Sequence, residues 1–398
     1  MTETRRAEAG LSGAMFLMAT SAIGPGFITQ TTQFTAQLGA AFAFAIVVSI
    51  LVDVSLQLNV WRVIGVSGLR AQELGNRILP GAGHLLTVCV VVGGFVFNVG
   101  NVAGTGLGLD AMLGLPARWG GLLSALLAIG VFLSRRAGVA MDRIVVALGF
   151  VMIAMTGYVA FVSHPPLAAV VRNVLVPERI DVLAITTIVG GTVGGYITYA
   201  GAHRLLDAGV LGPAGVARIS RAAVTGVLIT GVMRALLFLA VLGVVAAGAR
   251  LDPANPAASA FEIAAGQWGR RVFGLILWAA AITSVIGASY TSVTFMTRSG
   301  AIHERRRSLL TVVFIVASAG VFLAGGAAPV PLLIFAGAFN GLILPVGIAV
   351  ILWVAWRRRD LLGGYHYPRG LALAGLLGWL VAIYLGWESL DKLGALWR

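Results

Sequence analysis

The chain has 398 residues, of which 59% are hydrophobic and 11% are charged, and its formal net charge is +13. A water-soluble protein of this length cannot bury so much apolar surface, so the composition excludes that class and predicts a multi-pass membrane protein. The arginines lie at the ends of apolar stretches, which argues against nucleic acid as a partner and makes the lipid bilayer the expected one. The single cysteine, Cys89, excludes an intramolecular disulfide and a cysteine-rich metal site.

Eleven apolar stretches close to the length of a membrane-spanning helix follow one another along the chain. The predicted spans are 12–38, 40–62, 83–112, 119–134, 143–163, 182–203, 219–248, 270–297, 308–326, 330–356 and 370–390. Most of the 28 Lys and Arg residues fall in loops on the same side as the N-terminus. This asymmetry predicts a cytoplasmic N-terminus and an extracytoplasmic C-terminus in a bacterial inner membrane. The polar start, MTETRRAEAG, does not resemble a cleavable signal peptide.

The first predicted span is interrupted in its middle by Gly24, Pro25 and Gly26. Proline removes a backbone donor from the helix, and the flanking glycines tolerate non-helical geometry. The polar segment TQTTQ follows, so we expect the helix to restart near Gly26 with Gln30 and Thr31 on one face.

The sixth predicted span contains a second interruption, in the segment TIVGGTVGGYITYAG. Each glycine costs a helix about 1 kcal/mol relative to alanine, so four of them in six positions predict a break. Spans one and six each begin a block of five, and paired breaks of this kind are typical of inverted-repeat transporters. The new half-helix N-termini would suit an anionic group. An alternative is that the glycines form a close helix-packing face.

Further motifs carry a family resemblance that covers most of the chain. The segments are LQLNVWRVIGVSG in span two, NVGNVAGTGLGLDAMLGLPARWGGLL in span three, AITSVIGASYTSV in span eight and LLIFAGAFNGLILP in span ten. They resemble the NRAMP family of divalent-metal transporters. The resemblance implies an all-α membrane protein with the leucine-transporter fold, an inverted 5+5 repeat and broken helices 1 and 6.

The residues by which this family binds metal differ here. The family's Asp-Pro-Gly-Asn motif falls on Gly24-Pro25-Gly26-Phe27, and its Met-Pro-His motif falls on Gly194-Gly195-Tyr196. A glutamine of its tenth helix falls on Gly337, and two acids of its third helix fall on Asn98 and Asn101. Transition metals and Mg²⁺ need carboxylate, imidazole or sulfur ligands, which are missing near both breaks, so we expect no metal site. The five histidines lie at span ends or in loops, where we expect them to be solvated.

Hydroxyl, amide and aromatic side chains near the two breaks define a predicted substrate pocket. Its residues are Ser21, Gly24, Pro25, Gly26, Phe27, Gln30, Thr31, Asn98, Asn101, Gly191, Thr192, Gly194, Gly195, Tyr196, Tyr199 and Asn340. An alternative for each Thr or Asn is a hydrogen bond between helices.

Two charged residues lie deep within predicted spans, Asp53 in span two and Arg234 in span seven. Charges inside a membrane are costly and are usually paired or functional, so we expect a mutual ion pair with a part in coupling. The alternative roles are a proton-coupling acid for Asp53 and the attraction of an anionic solute for Arg234. Thr283 and Ser284 are the candidate ligands for a coupling sodium, and a proton is the other candidate. No cofactor is expected.

The sequence therefore predicts a secondary transporter, not an enzyme, that acts as a monomer on a small molecule or ion. The chain also resembles NRAMP-like bacterial proteins encoded beside 5-oxoprolinase subunits, which implies a small organic carboxylate such as 5-oxoproline as the solute. The alternatives are a divalent-metal transporter for Mn, Fe or Mg and a membrane sensor without transport activity. The predicted organisation is a cytoplasmic tail (1–11), two five-helix repeats (12–163 and 182–356) joined by an extracellular linker (164–181), and a final loop with the eleventh helix (357–398).

Overall fold

The computed structural model describes residues 22–207, 209–297, 304–326 and 328–395. The described residues form α-helices, two short 3-10 turns and connecting loops, without strands. The helices are α1 (Pro25–Leu38), α2 (Phe42–Ser67), α3 (Ala71–Ile78), α4 (Ala82–Leu113), α5 (Ala117–Leu133), α6 (Arg135–Val162), α7 (Leu167–Leu175), α8 (Val182–Val193), α9 (Ile197–Asp207), α10 (Val216–Ala246), α11 (Pro256–Met296), α12 (Glu304–Gly325), α13 (Pro329–Arg357) and α14 (Arg369–Ala395). The all-α fold class predicted from composition is therefore confirmed.

The described helices include eight segments long and apolar enough to cross a membrane, or nine if the bent α6–α7 pair is one span. One of these segments, Pro25–Ser67, contains both α1 and α2, and α5 is a shorter apolar helix. The count of eleven spans and the division into two repeats stay predictions. Large apolar side chains face outward, with Phe150 71% and Phe161 78% exposed, as expected for a surface in contact with lipid.

Several helix bounds differ from the prediction. The eighth span begins at Pro256 rather than at residue 270, and its helix kinks at Gly266, where φ is 66°. The fifth span begins at Arg135. Helices α3 and α7 were not predicted, because they are short and have one apolar face. Helix α7 lies within the predicted linker and is bent by 104° from the end of α6.

Helices α8 and α9 lie in the interior of the bundle. In the segment Val182–Leu206, 89% of an 18-residue apolar window is buried, the highest share among the described spans. Helix α8 packs against α13 and α2, α1 packs against α10, α11 and α13, and α4 runs along α11. The two helices with the predicted interruptions are therefore enclosed by the others.

Candidate functional site

The chain leaves helical geometry immediately before α1. Ala22 is helical, Ile23 and Gly24 form a bend, and the helix starts again at Pro25 without a side-chain cap. The N–H groups of a first helical turn have no partner within the helix, so this end carries partial positive charge. A Cβ on Gly24 would lie 3.0 Å from Ser284 Oγ and 3.9 Å from Asn101 Oδ1. The interruption therefore contacts α11 and α4.

A second interruption separates α8 from α9. Gly194, Gly195 and Tyr196 are non-helical, and Gly195 has a φ of +55°, a left-handed conformation that favours glycine. A Cβ on Gly195 would overlap the Asn340 side-chain oxygen. Glycine is thus required here both for the backbone angle and for the approach of α13.

Tyr196 connects the second interruption to α4. Its side chain is 1% exposed, and its hydroxyl lies near the Asn101 side chain. Its ring meets the Phe97 ring edge-on, with the centroids 5.8 Å apart. The Asn101 Nδ2 group is buried and has no hydrogen-bond partner. Because Asn101 also faces Gly24, this side chain lies between the two interruptions.

The Gln30 side chain of α1 contacts both α8 and α13. Its Nε2 donates to the Leu333 carbonyl of α13 at 2.8 Å, while its Oε1 is buried without a partner. A Cβ on Gly191 or on Gly337 would overlap the Gln30 amide. The glycines of α8 and α13 therefore leave room for this side chain.

Asn340 and Ser292 complete the set of buried polar groups. Asn340 Nδ2 donates to the Gly93 carbonyl at 3.0 Å and to the Ala336 carbonyl at 2.8 Å, and its Oδ1 is unpaired. Ser292 Oγ is also buried and unpaired, and a Cβ on Gly94 would overlap it. Sequence reasoning missed Ser292 and Phe97. Ser292 lies two helical turns after Ser284, a spacing that offered a weak signal.

Other predicted site residues make contacts elsewhere. Thr31 donates to the Phe27 carbonyl at 2.7 Å, and the partly buried Thr283 donates to carbonyls of its own helix. Tyr199 packs against the rings of His203 and Phe295. The two threonine hydroxyls are therefore paired within their own helices, and the Tyr199 ring packs between α9 and α11.

Asn98 serves a different contact from Asn101, although both lie on α4. Its Nδ2 donates to Ser289 Oγ at 3.0 Å and to Ser318 Oγ at 3.1 Å, which ties α4 to α11 and α12. For Asn98 the structure therefore supports the alternative interpretation, a hydrogen bond between helices. Ser21 lies outside the described residues.

Asp53 and Arg234 attract each other, but they do not form the direct salt bridge expected of a mutual ion pair. Both side chains are buried, at 1% and 2% exposed, but no salt bridge within 4.0 Å joins them. The Arg234 guanidinium instead lies 4.4 Å from the centre of the Phe27 ring and donates through Nη1 to the Ile188 carbonyl at 3.3 Å. Asp53 attracts Arg234 at longer range and lies near the Thr192 side chain.

The expectation of solvated histidines was wrong for His203. This side chain is 4% exposed and its ring centroid lies 4.9 Å from that of Phe295. It is buried because α9 continues to Asp207, beyond the predicted end of the span. Both ring nitrogens lack a hydrogen-bond partner.

The described part of the chain contains no group of three or more His, Cys, Asp or Glu side chains that could hold a metal ion. The polar groups at the interruptions are amides and hydroxyls, which bind divalent metals more weakly than carboxylates do. The arrangement is therefore suited to exchanging hydrogen bonds with an uncharged part of a solute.

Residues 15–390 match the family of natural resistance-associated macrophage protein-like (Nramp) proteins. The chain belongs to this family. Its members are membrane transporters, so the chain is a multi-pass membrane transporter. It is 50% identical to an uncharacterized membrane protein of Haemophilus influenzae over 94% of this chain and 93% of that one. It is also 50% identical to the uncharacterized membrane protein YcsG of Bacillus subtilis, over 97% and 96% of the two chains.

Solved structures confirm the predicted fold. A manganese transporter of Eremococcus coleocola superposes with a TM-score of 0.74 and 17% identity, covering 96% of this chain and 86% of that one. MhsT, solved in complex with L-phenylalanine, superposes with a TM-score of 0.62 and 15% identity, covering 96% and 98%. At these identities the similarity establishes the fold alone.

Proposed function

We propose that this transporter moves a small organic acid with amide character, such as 5-oxoproline, by alternating access. The proposed binding site lies between the two helix interruptions. The observation that carries the proposal is the set of unpaired buried polar atoms there: Gln30 Oε1, Asn101 Nδ2, Ser292 Oγ and Asn340 Oδ1. Four helices contribute them, so a solute between these helices would contact several at once.

Unpaired polar atoms favour a polar solute on energetic grounds. A buried donor or acceptor without a partner costs about 1–3 kcal/mol, which a solute with matching groups would recover. The lactam of 5-oxoproline offers one N–H donor and one carbonyl acceptor, which match an amide oxygen and the Asn101 amide nitrogen. Its carboxylate suits the uncapped N-terminus of α1.

The rival proposal is a divalent-metal transporter of the Nramp type. The manganese transporter with the similar fold supports it, whereas the polar groups at the interruptions here do not. A Cβ on Gly24 would lie only 3.0 Å from Ser284 Oγ, so a carboxylate at this position would require Ser284 to move. The fold also accommodates organic solutes, as the complex of MhsT with L-phenylalanine illustrates.

Uptake of radiolabelled 5-oxoproline into proteoliposomes tests the proposal. We expect uptake above empty vesicles and competition by unlabelled 5-oxoproline. Replacing Asn101→Ala should lower the apparent affinity roughly 5- to 10-fold, since it removes about one net hydrogen bond. The matched control is Thr87→Ala on the same helix, because Thr87 Oγ1 bonds only to the Gly83 carbonyl of its own helix. If the wild type neither takes up nor binds 5-oxoproline, this solute is rejected.

The same vesicles separate the alternatives. Quenching of an enclosed metal-sensitive dye by external Mn²⁺ would favour the metal transporter. Binding of 5-oxoproline without uptake or exchange under any ion gradient would favour a sensor. Imposing a proton or a sodium gradient in turn identifies the coupling ion, for which both remain candidates.

A further inference from the structure

We propose that Arg234 binds the carboxylate group of the transported solute, with Asp53 as the counter-charge that holds the arginine when the site is empty. The inference rests on the proposed function, because it assigns a partner to the acid group of that solute. It concerns a position on α10, outside the amide cluster described above.

The free edge of the guanidinium is the first observation. Arg234 Nε and Nη2 are both buried and have no hydrogen-bond partner, whereas Nη1 is bonded to the Ile188 carbonyl. Nε and Nη2 lie on the same edge of an arginine, and their two N–H groups match the two oxygens of a carboxylate. The donors left free are therefore the pair that binds such a group in bidentate fashion.

The position of this edge is the second observation. The guanidinium lies 4.4 Å from the centre of the Phe27 ring, and Phe27 is in the first turn of α1, directly after the interruption. Ile188, which accepts from Nη1, precedes the glycines of α8 by one turn or less. Arg234 thus contacts both interrupted helices. The uncapped N-terminus of α1 adds positive potential on the same side.

The third observation concerns the charge balance. An unneutralised guanidinium inside a membrane is costly, and Asp53 supplies the opposite charge without a direct salt bridge. Arg234 of α10 is the charged group that acts on Asp53 among the described residues, and Thr192 of α8 is its polar partner. A solute carboxylate on Arg234 would place two negative charges beside one positive charge. A proton on an oxygen of Asp53 would restore the balance, which links binding of the acid to binding of a proton.

Thermal stabilisation of the purified full-length protein, followed by tryptophan fluorescence, tests the assignment without transport. The probes are 5-oxoproline, its neutral carboxamide and a set of simple monocarboxylates. We expect 5-oxoproline to bind the wild type roughly 30-fold or more tightly than the carboxamide, the loss that follows when a buried charge pair loses one partner. We expect Arg234→Met to lose this preference and Arg234→Lys to retain part of it, since lysine keeps the charge but lacks the fork.

Asp53→Asn gives the opposite expectation. Removing the negative charge of Asp53 should tighten carboxylate binding by on the order of tenfold. In the wild type we expect carboxylate binding to strengthen as the pH falls, and in Asp53→Asn we expect this pH dependence to be lost. The double variant Asp53→Asn/Arg234→Met removes both charges together and reports whether the bundle folds without them. Arg250→Met, which removes an exposed arginine, is the matched control and should bind as the wild type does.

The outcomes separate this inference from the proposed function. Undiminished binding of 5-oxoproline by a folded Arg234→Met variant would overturn the carboxylate site and leave the proposed solute intact. Arg234-dependent stabilisation by another carboxylate, but not by 5-oxoproline, would support the site and overturn the solute. If no carboxylate stabilises the wild type, the assignment of Arg234 is wrong.

Discussion

The neighbours of Tyr196 fix the position of its side chain at the proposed site. Tyr196 follows the left-handed Gly195, so its position depends on the interruption itself. The Phe97 ring packs edge-on against it, and the Asn101 side chain lies near its hydroxyl. The Asn101 amide nitrogen is buried without a hydrogen-bond partner, so it is free to donate to a carbonyl of the solute.

Replacing Tyr196→Phe should keep the edge-on contact with Phe97 and remove only the hydroxyl that lies near Asn101. We expect about 1 kcal/mol of lost interaction and therefore a roughly 5-fold weaker apparent affinity for 5-oxoproline, because the Asn101 amide is then free to rotate. Concentration-dependent uptake into proteoliposomes measures the change. Tyr384→Phe, at a residue 59% exposed on α14, is the control. Equal affinities for both variants would remove Tyr196 from the site.

At the scale of helices, the close crossing of α4 and α11 sets the spacing of the bundle around the interruptions. Gly108 and Gly274 face each other across this crossing. A Cβ on Gly274 would lie 2.6 Å from the backbone nitrogen of Met112 and 2.8 Å from the Gly108 carbonyl oxygen. Small residues let membrane helices approach in this way, and the contact carries Asn101 and Ser284 to either side of Gly24.

Gly274→Ala should therefore destabilise the protein, because its methyl group meets backbone atoms that cannot rotate away. We expect a loss of about 1–3 kcal/mol, as for overpacked cores, and a lower apparent melting temperature in detergent. Gly287→Ala lies on the same helix with no atom within 4 Å of the added carbon, so its melting temperature should be unchanged or slightly higher. A Gly274→Ala variant as stable as Gly287→Ala would show that the helices separate easily.

At the scale of the whole molecule, composition and hydropathy were enough to predict an all-α membrane protein. Gly24, Gly194 and Gly195 of the predicted interruptions are non-helical, and Gly266 adds a kink that was not predicted. The partners of Asn98, Asn340 and Ser292 could not be predicted. Periodicity indicates which face of a helix a residue occupies, but the neighbouring helix depends on how distant segments cross.

The same limit explains the errors. The Asp53–Arg234 pair was predicted from two charges at similar depth, but depth along a helix does not fix its rotation, and the Arg234 guanidinium lies against the Phe27 ring. His203 was assigned to a solvated span end because hydropathy falls there, whereas the helix continues and packs on Phe295. The burial of polar residues near the end of an apolar stretch therefore could not be predicted without knowing how the helices pack.

The distribution of arginines makes a prediction about orientation that involves the whole chain. Several loops predicted to lie on the side of the N-terminus contact one another, since Arg358 donates to the Arg77 carbonyl at 2.6 Å and Arg62 donates to Ser220 Oγ at 2.7 Å. Arg270 lies 3.7 Å from Asp110, between segments predicted for the opposite side. The positive-inside rule places the first group in the cytoplasm.

Single-cysteine labelling measures this orientation. Cys89 is replaced by serine, and a cysteine is introduced at His366 or at Ala254, which are exposed in loops of the first and second group respectively. We expect a membrane-impermeant maleimide to label Ala254→Cys in intact cells and to label His366→Cys only after permeabilisation. This pattern is expected because arginine-rich loops resist translocation across the membrane. The reverse pattern would contradict the charge argument and would mean that the whole chain has the inverted orientation.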